Sequence, residues 1–131
     1  MRLELELEQK RFEPGETLRG KAFVIRGGRA RRLEALLSYC DAGPRFSSVA
    51  LTLPPAVMHE GSLAAGDFFS FAIPIPPDAP PTERVRKIDG RLYWELDLHC
   101  ARWALDLHET REIVVSGQSG ESGPDEPTAG A

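Results

Sequence analysis

The chain has 131 residues, 41% of them hydrophobic and 27% charged, a balance that supports one globular domain with a core and excludes a wholly disordered chain. Its formal net charge is −4, but the acids Glu121, Asp125 and Glu126 near the C-terminus carry most of this and leave the rest near −1. Bulk charge therefore argues neither for a polyanion-binding protein nor for a strongly acidic surface.

The opening MRLELELEQK alternates leucine with charge, which excludes the apolar core of a signal peptide, and no apolar run approaches the roughly 20 residues of a membrane helix. The expectation is a cytoplasmic protein without a membrane span. LELELE sets Leu3, Leu5 and Leu7 on one face and glutamates on the other, the period-two pattern of a half-buried strand. EPGET then supplies a turn, because proline fixes φ and glycine tolerates φ > 0. TLRGKAFVI opposes Leu18, Ala22 and Val24 to Arg19, Lys21 and Phe23. After Gly27 and Gly28, RLEALLSYC reads as a third strand, although Leu33 to Leu37 alone fit a short helix equally well.

DFFSFAIPI directs Phe69, Phe71, Ile73 and Ile75 inward and runs into IPIPPDAPPT, which has five prolines in ten residues. Proline lacks an N–H, so pairing is expected to end at Pro74 and PPDAPP to form a corner between sheets. The PxxP spacings of Pro74 and Pro77, or of Pro77 and Pro80, also fit an SH3-type ligand formally. RLYWELDLHC sets Leu92, Trp94, Leu96, Leu98 and Cys100 against Tyr93, Glu95, Asp97 and His99. ETREIVV is the last strand, before residues 116–131, SGQSGESGPDEPTAGA, whose composition predicts a disordered acidic Gly/Ser/Pro tail. Short strands between turn signals predict an all-β, immunoglobulin-like antiparallel β-sandwich of about seven strands over residues 1–115.

RFEPGETLRGKAFV, DFFSFAIPIPPDAPPT and GRLYWELDLHCARWALDLHETREIVV together resemble the arrestin-like domain, in particular the bacterial arrestin-like proteins grouped with sporulation-control proteins. The matching positions are Phe12, Pro14, Gly15, Glu16 and Gly20 around the PGE turn. Later come Phe69, Phe71, Pro76, Pro77, Pro80 and Pro81, and then Tyr93 and Trp94. The resemblance implies a β-sandwich used as a scaffold or adaptor for protein binding, without catalysis. Arrestins proper are similar to two such domains in tandem, whereas this chain has room for one, so nothing that depends on an interdomain polar core carries over. The arginine-rich composition, 13 Arg to 3 Lys, also suits a bacterial protein.

Catalytic and metal motifs are sparse. HETRE, residues 108–112, resembles the zincin HExxH but has Glu112 in place of the second histidine, and in a strand residues i and i+4 lie about 13 Å apart. Three histidines and two cysteines occur singly, without close zinc spacing. No Gly-rich phosphate loop is present. The reading is no enzyme, no cofactor and no metal. Cys40 and Cys100 are expected as reduced core residues.

Two basic segments remain as partner-binding candidates, since loop arginines pair well with carboxylates and phosphates. They contain Arg26, Arg29, Arg31 and Arg32, and Arg84, Arg86 and Lys87. Neither interleaves aromatic residues, so nucleic acid is not expected as a partner. The favoured function is a non-enzymatic protein-interaction module with an unknown protein partner, with LELELE as an edge for homodimer pairing. The alternative is a small hydrolase or metal-binding sandwich using outward residues, His99 beside Asp97 and His108 beside Asp106. A third reading, a chaperone-like sandwich that masks exposed strands, is weaker.

Overall fold

The period-two patterns become strands throughout. The computed structural model describes residues 1–43, 47–85 and 90–116 and contains, among them, ten strands and no helix. These are β1 (Arg2–Leu7), β2 (Arg11–Phe12), β3 (Thr17–Arg26), β4 (Arg32–Ala42), β5 (Ser47–Thr52), β6 (Ala56–Glu60), β7 (Phe68–Pro74), β8 (Glu83–Val85), β9 (Gly90–Ala101) and β10 (Leu107–Val115). They form two sheets. The smaller has the order β1-β3-β7, and the larger runs β2-β10-β9-β4-β5 with β6 also on β4 and β8 also on β9. The expected all-β sandwich is the observed fold, with more strands than expected because several are short. Residues 117–131, the expected tail, lie outside the described residues.

The Leu33 to Leu37 ambiguity resolves as strand, because Arg32 to Ala42 pair without interruption against Ala101 to Arg91 of β9. On the opposite edge, β6 covers Arg32 to Ala35 and β5 covers Ser38 to Ala42. Pro54 and Pro55 separate β5 from β6, since neither residue has an N–H to continue the ladder.

Between the sheets lie two core clusters. One surrounds the fully buried Trp94 with Phe12, Leu18, Leu37, Ile75, Leu96 and Ile113; the other gathers Leu3, Val24, Leu33, Leu98 and Cys100. Gly20 is demanded by this packing, as a Cβ there would stand 2.6 Å from Phe71 Cζ and 2.9 Å from Glu6 O.

The PGE turn is a corner between sheets. After β1 the chain leaves the small sheet, and β2 pairs in parallel with Val114 and Val115 of β10 in the large one; Gly15, at φ 91°, then turns the chain back, and Glu13 N donates to Glu16 Oε1 at 2.8 Å. The proline stretch is also a corner. Pairing of β7 with β3 ends at Pro74, and Ile75 N donates to Glu16 O at 2.8 Å. Beyond it, Trp94 Nε1 donates to Pro80 O at 2.8 Å and Tyr39 OH to Pro81 O at 3.0 Å. Carbonyls that a proline-rich ligand would present to a partner are instead bonded to aromatic side chains of this domain.

Cys40 and Cys100 are both buried and free. Cys40 lies opposite Tyr93 and Cys100 opposite Leu33, an odd separation along β4 that puts them on opposite faces of the sheet.

Candidate functional site at the β9–β10 hairpin

At the end of the large sheet nearest Leu33 and Cys100, a row of polar side chains crosses the outer face. His108 of β10 lies opposite His99 of β9, which lies opposite Glu34 of β4. The two imidazoles stack with centroids 4.5 Å apart and planes 9° from parallel. His99 Nδ1 is 2.9 Å from Glu34 Oε2, and its Nε2 is 2.9 Å from Asp106 Oδ2. His108 Nδ1 lies 2.9 Å from Asp97 Oδ2. Each histidine therefore meets the acid two residues from its cross-strand neighbour, the reverse of the same-strand pairing expected from sequence. Strand twist brings this diagonal close.

Glu34 is 5% exposed, the one buried charged residue among those described. Besides His99 it has Arg32, whose Nε stands 3.2 Å from Oε1 without the alignment of a hydrogen bond. With carboxylate oxygens facing both ring nitrogens of His99, only the imidazolium donates to both. Partial burial disfavours that charged form, but the bonds to Asp106 and then Glu34 outweigh it, and the pKa of His99 is raised. Asp106 is held below the usual carboxylate range, first by His99 and then by the Arg102 N–H.

Asp106 also shapes the hairpin that joins β9 to β10. Its Oδ1 accepts from Arg102 N at 3.1 Å, which closes the loop and leaves Trp103 and Leu105 69% and 80% exposed at the tip. The Arg31 guanidinium lies over the Trp103 ring, 5.2 Å from its centroid. Arg31 is fixed at its backbone, donating N–H to Ala101 O at 2.7 Å and accepting from Gly61 N at 3.1 Å. Beside it, a cavity of about 230 Å³ is lined by Arg31, Arg32, Glu60 and Ala101.

The residues singled out from sequence divide clearly. Arg31 and Arg32 belong to this end of the sandwich. Arg26 is paired with Arg2 in the small sheet, and Arg29 is exposed in the connection to β4. Arg84 pairs with Arg91 at the far end of β9, about 30 Å from Ala101 at 3.3 Å per residue, so the two basic segments do not make one patch. Arg86 and Lys87 lie outside the described residues. His99, His108, Asp97 and Asp106 do come together. Glu34, Trp103 and Leu105 were not singled out as site residues. A glutamate at an alternating position of an otherwise apolar strand, and a tryptophan and leucine between two strands, were the available signals.

No protein-family model matches the chain, and no curated protein matches it. Among solved structures its fold is similar to that of Spo0M, sporulation control protein, from Bacillus subtilis, with a TM-score of 0.59 and 16% sequence identity. The match covers 88% of this chain and 49% of that one, so the chain spans about half the length of the structure it resembles. At this identity the likeness concerns the fold alone, and it supports the β-sandwich. Among the described residues, no helix is long and apolar enough to cross a membrane.

Proposed function

We propose that the chain is a non-enzymatic protein-interaction module whose partner surface is the end formed by Arg31, Arg32, Trp103 and Leu105. The observation that carries this reading is the exposed Trp103 at a hairpin tip with the Arg31 guanidinium over its ring. Tryptophan and arginine are the residues most enriched where binding energy concentrates, and neighbouring apolar area supplies the water-excluding surround. The partner chemistry that fits is an apolar anchor flanked by carboxylates, which a planar guanidinium binds in bidentate fashion.

The likeness to Spo0M, a sporulation control protein, supports a regulatory rather than a metabolic setting. The non-enzymatic reading is further supported by Cys100, the nucleophile nearest His99 in sequence, which is buried in the core on the other face of the strand.

Affinity capture from the source lysate with the full chain, compared with the Arg31→Ser/Trp103→Ser double variant, tests this reading. A stoichiometric partner retained by the wild type and lost by the variant is expected. Retention by both would move the binding surface elsewhere, with the edge of β1 as the next site to test, since among the described strands β1 pairs only with β3.

A further inference from the structure

We propose that His99, Asp106 and His108 form a binding site for a late first-row divalent cation of the Zn²⁺ type, seated across the β9–β10 hairpin. One ligating atom from each of the three lies within 4.8 Å of the other two. Zinc–nitrogen bonds of about 2.0–2.1 Å place tetrahedral ligand atoms roughly 3.3 Å apart, so closure requires a modest contraction. His108 and Asp106 are 49% and 40% exposed at their side chains and are free to make it.

The surrounding groups are arranged as a metal site needs them. His108 gives Nδ1 to Asp97 and His99 gives Nδ1 to Glu34, each at 2.9 Å. A carboxylate on one ring nitrogen fixes the tautomer and leaves the other, Nε2, as the ligand, and such partners raise the basicity of the imidazole. Three carboxylates, Glu34, Asp97 and Asp106, gather around two histidines with Arg32 beside Glu34 and Arg31 acting on Asp106 from further away. A cation taking the place of the proton between His99 Nε2 and Asp106 Oδ2 keeps those carboxylates compensated.

Two imidazoles and one carboxylate suit Zn²⁺ and its neighbours rather than Mg²⁺ or Ca²⁺, which prefer all-oxygen shells. Three protein ligands leave a fourth position open to solvent or to a donor from outside. The sequence expectation of no metal followed from the absence of a compact motif. Here the ligands come from the end of one strand, a turn and the start of the next.

The inference stands apart from the interaction reading, because it is tested without a partner. The purified full chain, stripped with chelator, is titrated with Zn²⁺ in competition with a chromogenic chelator, alongside Asp106→Asn, His108→Ala and Asp97→Asn. His59→Ala is the control, its ring bonded instead to Ser62 O at 3.1 Å. Expected are one ion per chain, at least tenfold weaker binding in Asp106→Asn and His108→Ala, a loss of about 10–100-fold in Asp97→Asn, and no change in His59→Ala. Far-UV circular dichroism confirms that each variant is folded. No saturable uptake, equal uptake by wild type and the two ligand variants, loss in His59→Ala, or preference for Mg²⁺ over Zn²⁺ would each overturn it.

Discussion

Trp94 fills the centre of the core and also holds the proline corner, through the bond from its indole N–H to Pro80 O. Replacing it with phenylalanine keeps an aromatic ring but orphans a carbonyl. Trp94→Phe is therefore expected to lower the unfolding free energy by about 1–3 kcal/mol, measured by urea denaturation followed by circular dichroism; an unchanged midpoint would mean that Pro80 O is satisfied by water. The two thiols give a second expectation at this scale. Burial is the leading cause that raises the pKa of both, with Glu95 adding to it at Cys40. Because the thiolate is the reactive form, a thiol reagent at pH 8 is expected to label neither cysteine in the native state and both in urea. Rapid native labelling of one of them would contradict its burial. Residue partners were the least legible part of the sequence. That His99 and His108 both lie near acids is visible from spacing. Which acid each meets depends on the register between β9 and β10 and on twist, and Glu34 enters from a strand more than sixty positions away.

Strands with clean alternation were legible because one face is buried and the other is not: Leu18, Ala22 and Val24 are 0%, 0% and 2% exposed, as their spacing requires. β5 and β6 were not legible, because they end at Pro54 and Pro55 and carry exposed apolar residues such as Val49, Leu51 and Val57, so no periodic contrast marks a face. β2 is two residues long and is defined wholly by its partner β10. For the β9–β10 hairpin the expectation concerns what its tip does not do. Trp103 and Leu105 are exposed, so Trp103→Ser/Leu105→Ser should leave stability within about 0.5 kcal/mol, read by the same denaturation curve. A large loss would show that the tip packs for stability and would count against its role as a binding surface.

Across the whole molecule, β4 and β9 contribute to both core clusters, through Leu37 with Leu96 and through Leu33 with Leu98. The described strands should therefore unfold as one cooperative unit, with tryptophan fluorescence and circular dichroism giving coincident transitions. Two separate transitions would mean that the clusters are independent. Ser116 N still donates to Phe12 O at 2.9 Å, so a chain ending at Ser116 is expected to keep the full-length urea midpoint. A clear fall would show that residues beyond it contribute to the fold.

The parallel pairing of β2 with β10 joins nearly the first strand to the last. A chain emerging from the ribosome N-terminus first has β2 early but cannot seat it until Val114 and Val115 have been made. Phe12, 1% exposed in the finished domain, cannot be fully covered until Ile113 and Val115 of its core cluster have been made. Contacts of such long sequence separation place folding in the slow millisecond-to-second regime of sandwich topologies, and they make completion of the domain wait on the synthesis of β10.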